Sequence, residues 1–320
     1  MHFAGIVKGY RRYGALALTW LLCAAAGGGC SIKKMAVNKL GDALAGGGTT
    51  FSSDDDPELV KAAVPFSLKL IESLLEQSPN HRGLLLAAAS GFTQYGYAFV
   101  QQDADELVEA DQAAAKPLML RARKLYLRAR DYGLRGLDAA HPGLRAKLRE
   151  NPKAALQPCA ASDAGTLYWT AVSWAAAISV SKDDPALVAD LNLVDALIDR
   201  ALEVDERFDH GAIHGFLISY EMARASKAGE PMERARKHFD RAVELAGAHA
   251  VGPYVSFAES IAIPQEDRDG FEKALKKALA IDASNVRENR LVNLVMQRRA
   301  RWLLQRIDKY FLPPAPPETK

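Results

Sequence analysis

The sequence predicts an all-α chain built as an array of helical hairpins, and three observations predict it. Beyond residue 54, apolar residues recur three and four apart, as at Leu68, Ile71, Leu74 and Leu75, the spacing that one face of a helix requires. Strand signals are absent, with no sustained alternation and no Asn-Gly turn between β-branched runs. Four segments share a small-x3-large-x2-small pattern. Ala122, Tyr126, Ala129 and Ala235, Phe239, Ala242 fit it well, and Val194, Ile198, Ala201 and Phe271, Leu275, Ala278 are weaker copies. Small residues let paired helices approach closely while the larger one between them fills the groove.

The elements follow in order. Residues 1–29 read as an export signal: Lys8, Arg11 and Arg12 supply positive charge, and Tyr13 to Ala26 is uncharged and mostly apolar. That run is shorter than the ~20 residues a membrane-spanning helix needs. Gly27, Gly28 and Gly29 then precede Cys30. Small residues before a cysteine at this place resemble a bacterial lipobox, although Gly27 stands where leucine is usual. The reading makes Cys30 the lipidated N-terminus; a plain secretory signal cleaved near Ala26 is the alternative. Ser31, where an aspartate would favour the inner membrane, points to the periplasmic face of the outer membrane. Cys23 lies inside the apolar run, so lipidation of Cys30 leaves Cys159 without a disulfide partner.

Removing residues 1–29 lowers the 41 basic residues to 38 against 39 acidic ones. So balanced a chain lacks the clustered positive charge of a nucleic-acid surface. No second long apolar run exists, and acyl chains would hold the protein to the membrane. Residues 30–53, with Gly46-Gly47-Gly48 and Ser52-Ser53, read as a flexible tether. Residues 54–312 form the helical domain and residues 313–320 a proline-rich tail.

Asp56-Pro57-Glu58 opens the first helix, because an aspartate cap, a proline in the first turn and an early glutamate suit a helix N-terminus. Asp184-Pro185 repeats the device. The segments before the four patterned copies supply first helices: Leu84–Val100, Thr166–Ser181, Gly211–Ser226 and Val251–Ile263. Helix pairs of this kind, about 34 residues long, are tetratricopeptide repeats. The step from Ala129 to Ala201 is long because Gly136 to Gly165, with Pro142, Pro152 and Pro158, intervenes as an insertion. An ordinary helical bundle is the alternative. Arg287–Phe311 reads as a C-terminal capping helix over the open end of the array.

No catalytic motif is present: no Gly-x-Ser-x-Gly, no His-Glu-x-x-His, no paired CxxC and no glycine-rich dinucleotide fingerprint. The chain is therefore read as a binding protein without a cofactor. His210 and His214, four apart, have the spacing of a two-histidine metal site, but no third ligand stands beside them, and a hydrogen-bonding role between helices is the better reading. Cys159 has no base nearby in sequence to activate it. Tyr95, Tyr97, Phe99, Tyr168, Trp169 and Trp174 concentrate on first helices, which in repeat arrays line the concave binding face. Core packing is the equal alternative for them. Trp169 and Trp174, five apart, cannot both point the same way. Tyr95, Trp169 and Trp174 are candidates for ligand contact, with His210, His214 and Glu259 as polar neighbours.

Several stretches carry a family resemblance. They are Asp54-Asp55-Asp56-Pro57-Glu58-Leu59, Phe92-Thr93-Gln94-Tyr95, Asp209-His210-Gly211-Ala212-Ile213-His214, Pro253-Tyr254-Val255-Ser256 and Arg298-Arg299-Ala300-Arg301-Trp302. Together they resemble the TRAP-transporter-associated tetratricopeptide lipoproteins, the T-component or TatT family. The resemblance implies a lipoprotein that binds the solute-binding protein of a tripartite ATP-independent periplasmic (TRAP) system. It also implies a homotrimer whose hydrophobic openings hold or pass an apolar or organic-acid ligand. A tetratricopeptide scaffold for outer-membrane or envelope assembly is the alternative function.

Overall fold

The computed structural model describes residues 38–43, 46, 49–224 and 227–312, and every regular element among them is helical. Helix α1 (Pro57–Gln77) begins as the sequence predicts: the Asp56 carboxylate accepts the amides of Glu58 (3.1 Å) and Leu59 (3.0 Å). Helix α2 (Arg82–Gly96) runs through a π turn (Tyr97–Gln101) into α3 (Gln102–Leu107). The long α4 (Gln112–Ala140), capped by Asp111, packs along α2. Two short helices follow, α5 (Leu144–Leu148) and α6 (Pro152–Leu156), then α7 (Ala164–Ser179), α8 (Pro185–Val188) and α9 (Leu191–Val204). Next come α10 (Ala212–Tyr220), α11 (Pro231–Ala246) and α12 (Gly252–Phe257), the last continued by a second π turn (Ala258–Ala262). Helices α13 (Arg268–Ala280), α14 (Arg290–Leu304) and α15 (Ile307–Tyr310) complete the described chain.

Helices pair as α2 with α4, α7 with α9, α10 with α11, and α12 with α13. The four patterned copies lie on α4, α9, α11 and α13, and every patterned residue except the partly buried Phe239 is buried. Neighbouring pairs approach closely at glycine: a Cβ on Gly133 of α4 would collide with the Thr170 side chain of α7. The residue 136–165 insertion belongs to the core rather than looping out. Leu144, Leu148, Leu156 and Cys159 are buried among Leu167, Trp174, Leu197 and Ile198. The Asp184-Pro185 device does cap a helix, but only the single turn of α8.

The stretch expected to be a free tether is docked at two points. Residues 38–43 are helical, and Asn38 Oδ1 accepts a hydrogen bond from Ser78 Oγ (2.7 Å). Gly41 permits the approach, since a Cβ there would come within 2.9 Å of the His81 ring. Further along, the Ser52 carbonyl accepts the Leu291 amide (2.9 Å). Cys30 and residues 313–320 lie outside the described residues. Among those described, no helix is long and apolar enough to cross a membrane.

The C-terminal segment does more than cap. The helix expected over Arg287–Phe311 breaks between α14 and α15, and Phe311 folds back so that its ring lies 5.1 Å from that of Phe271. On its other side α14 reaches the first hairpin. Val295 is buried in the same core cluster as Val60, Leu68, Phe92 and Tyr95. Arg290 bonds to the Ser53 carbonyl, and the Tyr97 hydroxyl lies 3.9 Å from Met296 Sδ. The series of packed pairs thus closes on itself, with α14 touching both its beginning and its end.

Candidate functional site

Closure brings together charges that are far apart in sequence. The α3 segment and the residues after it carry Asp103, Asp105, Glu106 and Glu109; α14 and α15 carry Arg298, Arg299, Arg306 and Lys309. Asp103 accepts from Lys61 and Arg298, both at 2.8 Å, and Glu106 from Arg298 at 2.7 Å. Glu109 pairs with Arg306 and Lys309. At the centre Arg299 joins the two ends of the array: Nη1 reaches Asp105 at 2.9 Å, while Nε and Nη2 reach Glu259 Oε1 at 3.0 and 2.7 Å. The guanidinium groups of Arg299 (4.4 Å) and Arg306 (4.3 Å) both lie over the Trp302 ring.

The two π turns sit at this cluster. Such single-turn insertions shift the side chains that follow, and they recur at functional sites. One places Tyr97 beside Met296, and the other places Glu259 on Arg299. Burial pushes the Glu259 and Asp105 carboxyls above their ordinary range, against the pull of Arg299. Burial likewise raises Tyr97, and the nearby Glu259 adds to it. Burial works against the Arg299 charge, yet Glu259, Tyr97 and Asp105 together hold its pKa above the ordinary value. Glu259 nevertheless keeps 28% of its side chain accessible. Glu259 is thus partly screened from solvent and partly open to it. The hollow of about 420 Å³ lined by Lys124, Arg128, Asp131, Tyr132 and Arg135 is elsewhere, an open depression along α4.

The sequence-predicted residues scatter. Trp174 is buried with the Arg130 guanidinium 5.1 Å from its ring, and Tyr95 is buried against Phe99, so both pack in the core. Trp169 is only partly buried and meets Tyr168 edge-on at 4.9 Å. Trp174 is thus fully buried, while Trp169 is partly so and packs against the same core cluster. His210 and His214 do not share a helix face. Asp209, His210 and Gly211 all have positive φ (44°, 54° and 87°), so His210 is exposed in a turn and His214 begins a different course on α10. The turn is held by packing, since a Cβ on Gly211 would meet Leu245 at 2.8 Å.

His214 instead joins α10 to α11. Its Nδ1 lies 2.8 Å from His238 Nδ1 and its Nε2 3.2 Å from Glu206 Oε1. Burial depresses both imidazoles, and His238, further disfavoured by His214, falls to about 4. The hydrogen-bonding role read from the sequence for both histidines thus holds for His214, whereas His210 is exposed in its turn. Cys159 is buried, and burial pushes its thiol up to about 11, so it is not an activated nucleophile. Sequence reasoning missed Asp105, Arg299 and His238. A weak signal existed for Arg299, a basic residue on the apolar side of a helix otherwise patterned to be buried.

Comparison with known proteins fits this architecture. An uncharacterized protein of Treponema pallidum (strain Nichols) is 33% identical over 310 residues, covering 91% of this chain and 95% of that protein. The family model described as "TRAP transporter T-component" matches residues 53–311, from Ser53, whose carbonyl receives Arg290, to the phenylalanine packed on Phe271. Spanning every hairpin and the closing helix, that match means the chain belongs to the TRAP transporter T-component family.

Proposed function

We propose that this protein is the accessory lipoprotein of a TRAP transport system, docking the system's solute-binding protein and offering its ligand an apolar passage or pocket. The family match over residues 53–311 carries this reading, and the family is one of transport accessories rather than of enzymes. The cluster around Arg299 supports the ligand part. A guanidinium shared by two carboxylates, both with raised pKa, sits against the Trp302 ring. An organic acid entering there would compete with Asp105 or Glu259 for the fork-shaped donor set of Arg299. Trp169 on the more open side of α7 is the aromatic best placed for an apolar ligand.

The protein is held by lipid on Cys30 at the periplasmic face of the outer membrane and acts as a trimer. Leu59, Phe66 and Leu70 share one face of α1 and are exposed, Phe66 by 74%, which supplies apolar surface for self-association. Pull-down from periplasmic extract with the lipid-free protein, followed by titration of the recovered partner, tests the docking. A TRAP solute-binding protein is the expected partner, and affinity should be moderate because a delivery partner must also leave. Recovery of outer-membrane assembly factors alone would favour the scaffold reading instead. Mass spectrometry should find acyl chains on a Cys30 N-terminal peptide; an unmodified N-terminus near Ala26 would overturn the anchor.

A further inference from the structure

The insertion between α4 and α7 is closed by a group of side chains to which transport assigns no role. His141 is the C-cap of α4, Cys159 lies late in the insertion, and Asp163 sits in the 3-10 turn (Ala161–Asp163) that leads into α7. One ligand atom from each lies within 4.8 Å of the other two. Cys159 and Asp163 are buried, and His141 is partly so. Imidazole, thiolate and carboxylate are the three donor types that zinc takes, and three protein ligands with a water in fourth place make a four-coordinate site. Bonds of roughly 2.0–2.3 Å at tetrahedral angles need ligand atoms about 3.3–3.7 Å apart, so the three side chains must draw closer on binding.

We propose that His141, Cys159 and Asp163 bind one zinc ion, which pins the two ends of the insertion together. Asp163 Oδ2 is within 2.9 Å of His141 Nε2 and also accepts the Ala160 amide at 3.0 Å; Oδ1 accepts from Arg82 at 2.6 Å. Zinc would take the place of the proton between His141 and Asp163, and the Cys159 thiol would lose its proton on binding. Arg82 opposes the metal electrostatically, since its half-exposed guanidinium competes for the same carboxylate. The Ala160 amide holds that carboxylate oriented, as outer partners of metal ligands commonly do.

The test uses the full-length chain in detergent, with Cys23→Ser and Cys30→Ser leaving Cys159 as the only one of the three cysteines. Zinc is titrated against a chromophoric chelator, and cobalt(II) reports thiolate ligation by its charge-transfer absorption. One zinc per chain and a thiolate band on cobalt are expected. Cys159→Ser and His141→Ala should each weaken zinc by at least about tenfold. Arg82→Gln, a change at a half-exposed side chain whose folding is checked by circular dichroism, should tighten it severalfold. Zinc held equally by the Cys159→Ser protein, a cobalt complex lacking the thiolate band, or Arg82→Gln without tightening would overturn the proposal.

Discussion

At the scale of single residues, the balance of burial against pairing decides what each charge does. Arg299 is the sharpest case, since its removal strands Asp105 and Glu259 in a desolvated place. Breaking a fully buried pair by deleting one partner costs about 3–5 kcal/mol; this cluster is partly open to solvent, so Arg299→Met should cost less than that and still lower the urea midpoint. A smaller loss for the double change Arg299→Met with Glu259→Gln would locate the cost in the stranded carboxylate. Histidine behaves in the opposite sense. His238 titrates near 6.5 unfolded and at about 4 folded, so between those values the unfolded chain binds the extra proton. The stability tied to its neutral ring is therefore complete above pH 6.5 and is lost as pH falls toward 4. Residual solvent contact at the ring trims the effect, which is on the order of 2 kcal/mol. His238→Gln should flatten the dependence of the melting temperature on pH across that window, and an unchanged slope would refute it.

At the scale of elements, the hairpins are legible in sequence because a periodic apolar face is a local property. Ala242 shows it: fully buried on α11 beside Ile218 and Ile261, it leaves no room for a larger side chain. Ala242→Leu should cost about 1–3 kcal/mol by overpacking, whereas Lys237→Ala, at an exposed position of the same helix, should scarcely move the melting temperature. Equal tolerance of both would count against the helix alignment. What the sequence hides is non-local or depends on exceptional backbone. The π turns at Tyr97 and Ala258 carry no residue signature, so the convergence of Tyr97 and Glu259 is invisible to spacing rules. Left-handed backbone at Asp209 and His210 breaks the helix on which two histidines would align, because periodicity alone treats Gly211 as an ordinary first-helix residue. Glu259 alone among the candidate polar residues emerges in the central cluster. Trp174 and Tyr95 go to the core, the alternative that large aromatics always carry.

At the scale of the whole molecule, the array is a closed circuit rather than an open solenoid, and α14 is the joint. Open arrays stand as sums of neighbouring interfaces; a closed one adds a contact whose loss is felt at both ends. Val295→Asp should place a charge in the first core cluster and release the joint. The expected result is a larger hydrodynamic radius by small-angle scattering with nearly unchanged helical content; loss of both together would mean that the hairpins cannot stand without closure. The joint also has a consequence in time. Arg298 and Asp103 are 195 residues apart, and Arg290 bonds to Ser53 across 237. Contacts of such separation form late, after the local hairpins. A chain that emerges N-terminus first therefore holds its first hairpin uncovered, with the seat of Val295 empty, until nearly the last residues have appeared. Until then it offers that apolar seat to chaperones and proteases, and every copy truncated before α14 keeps it exposed.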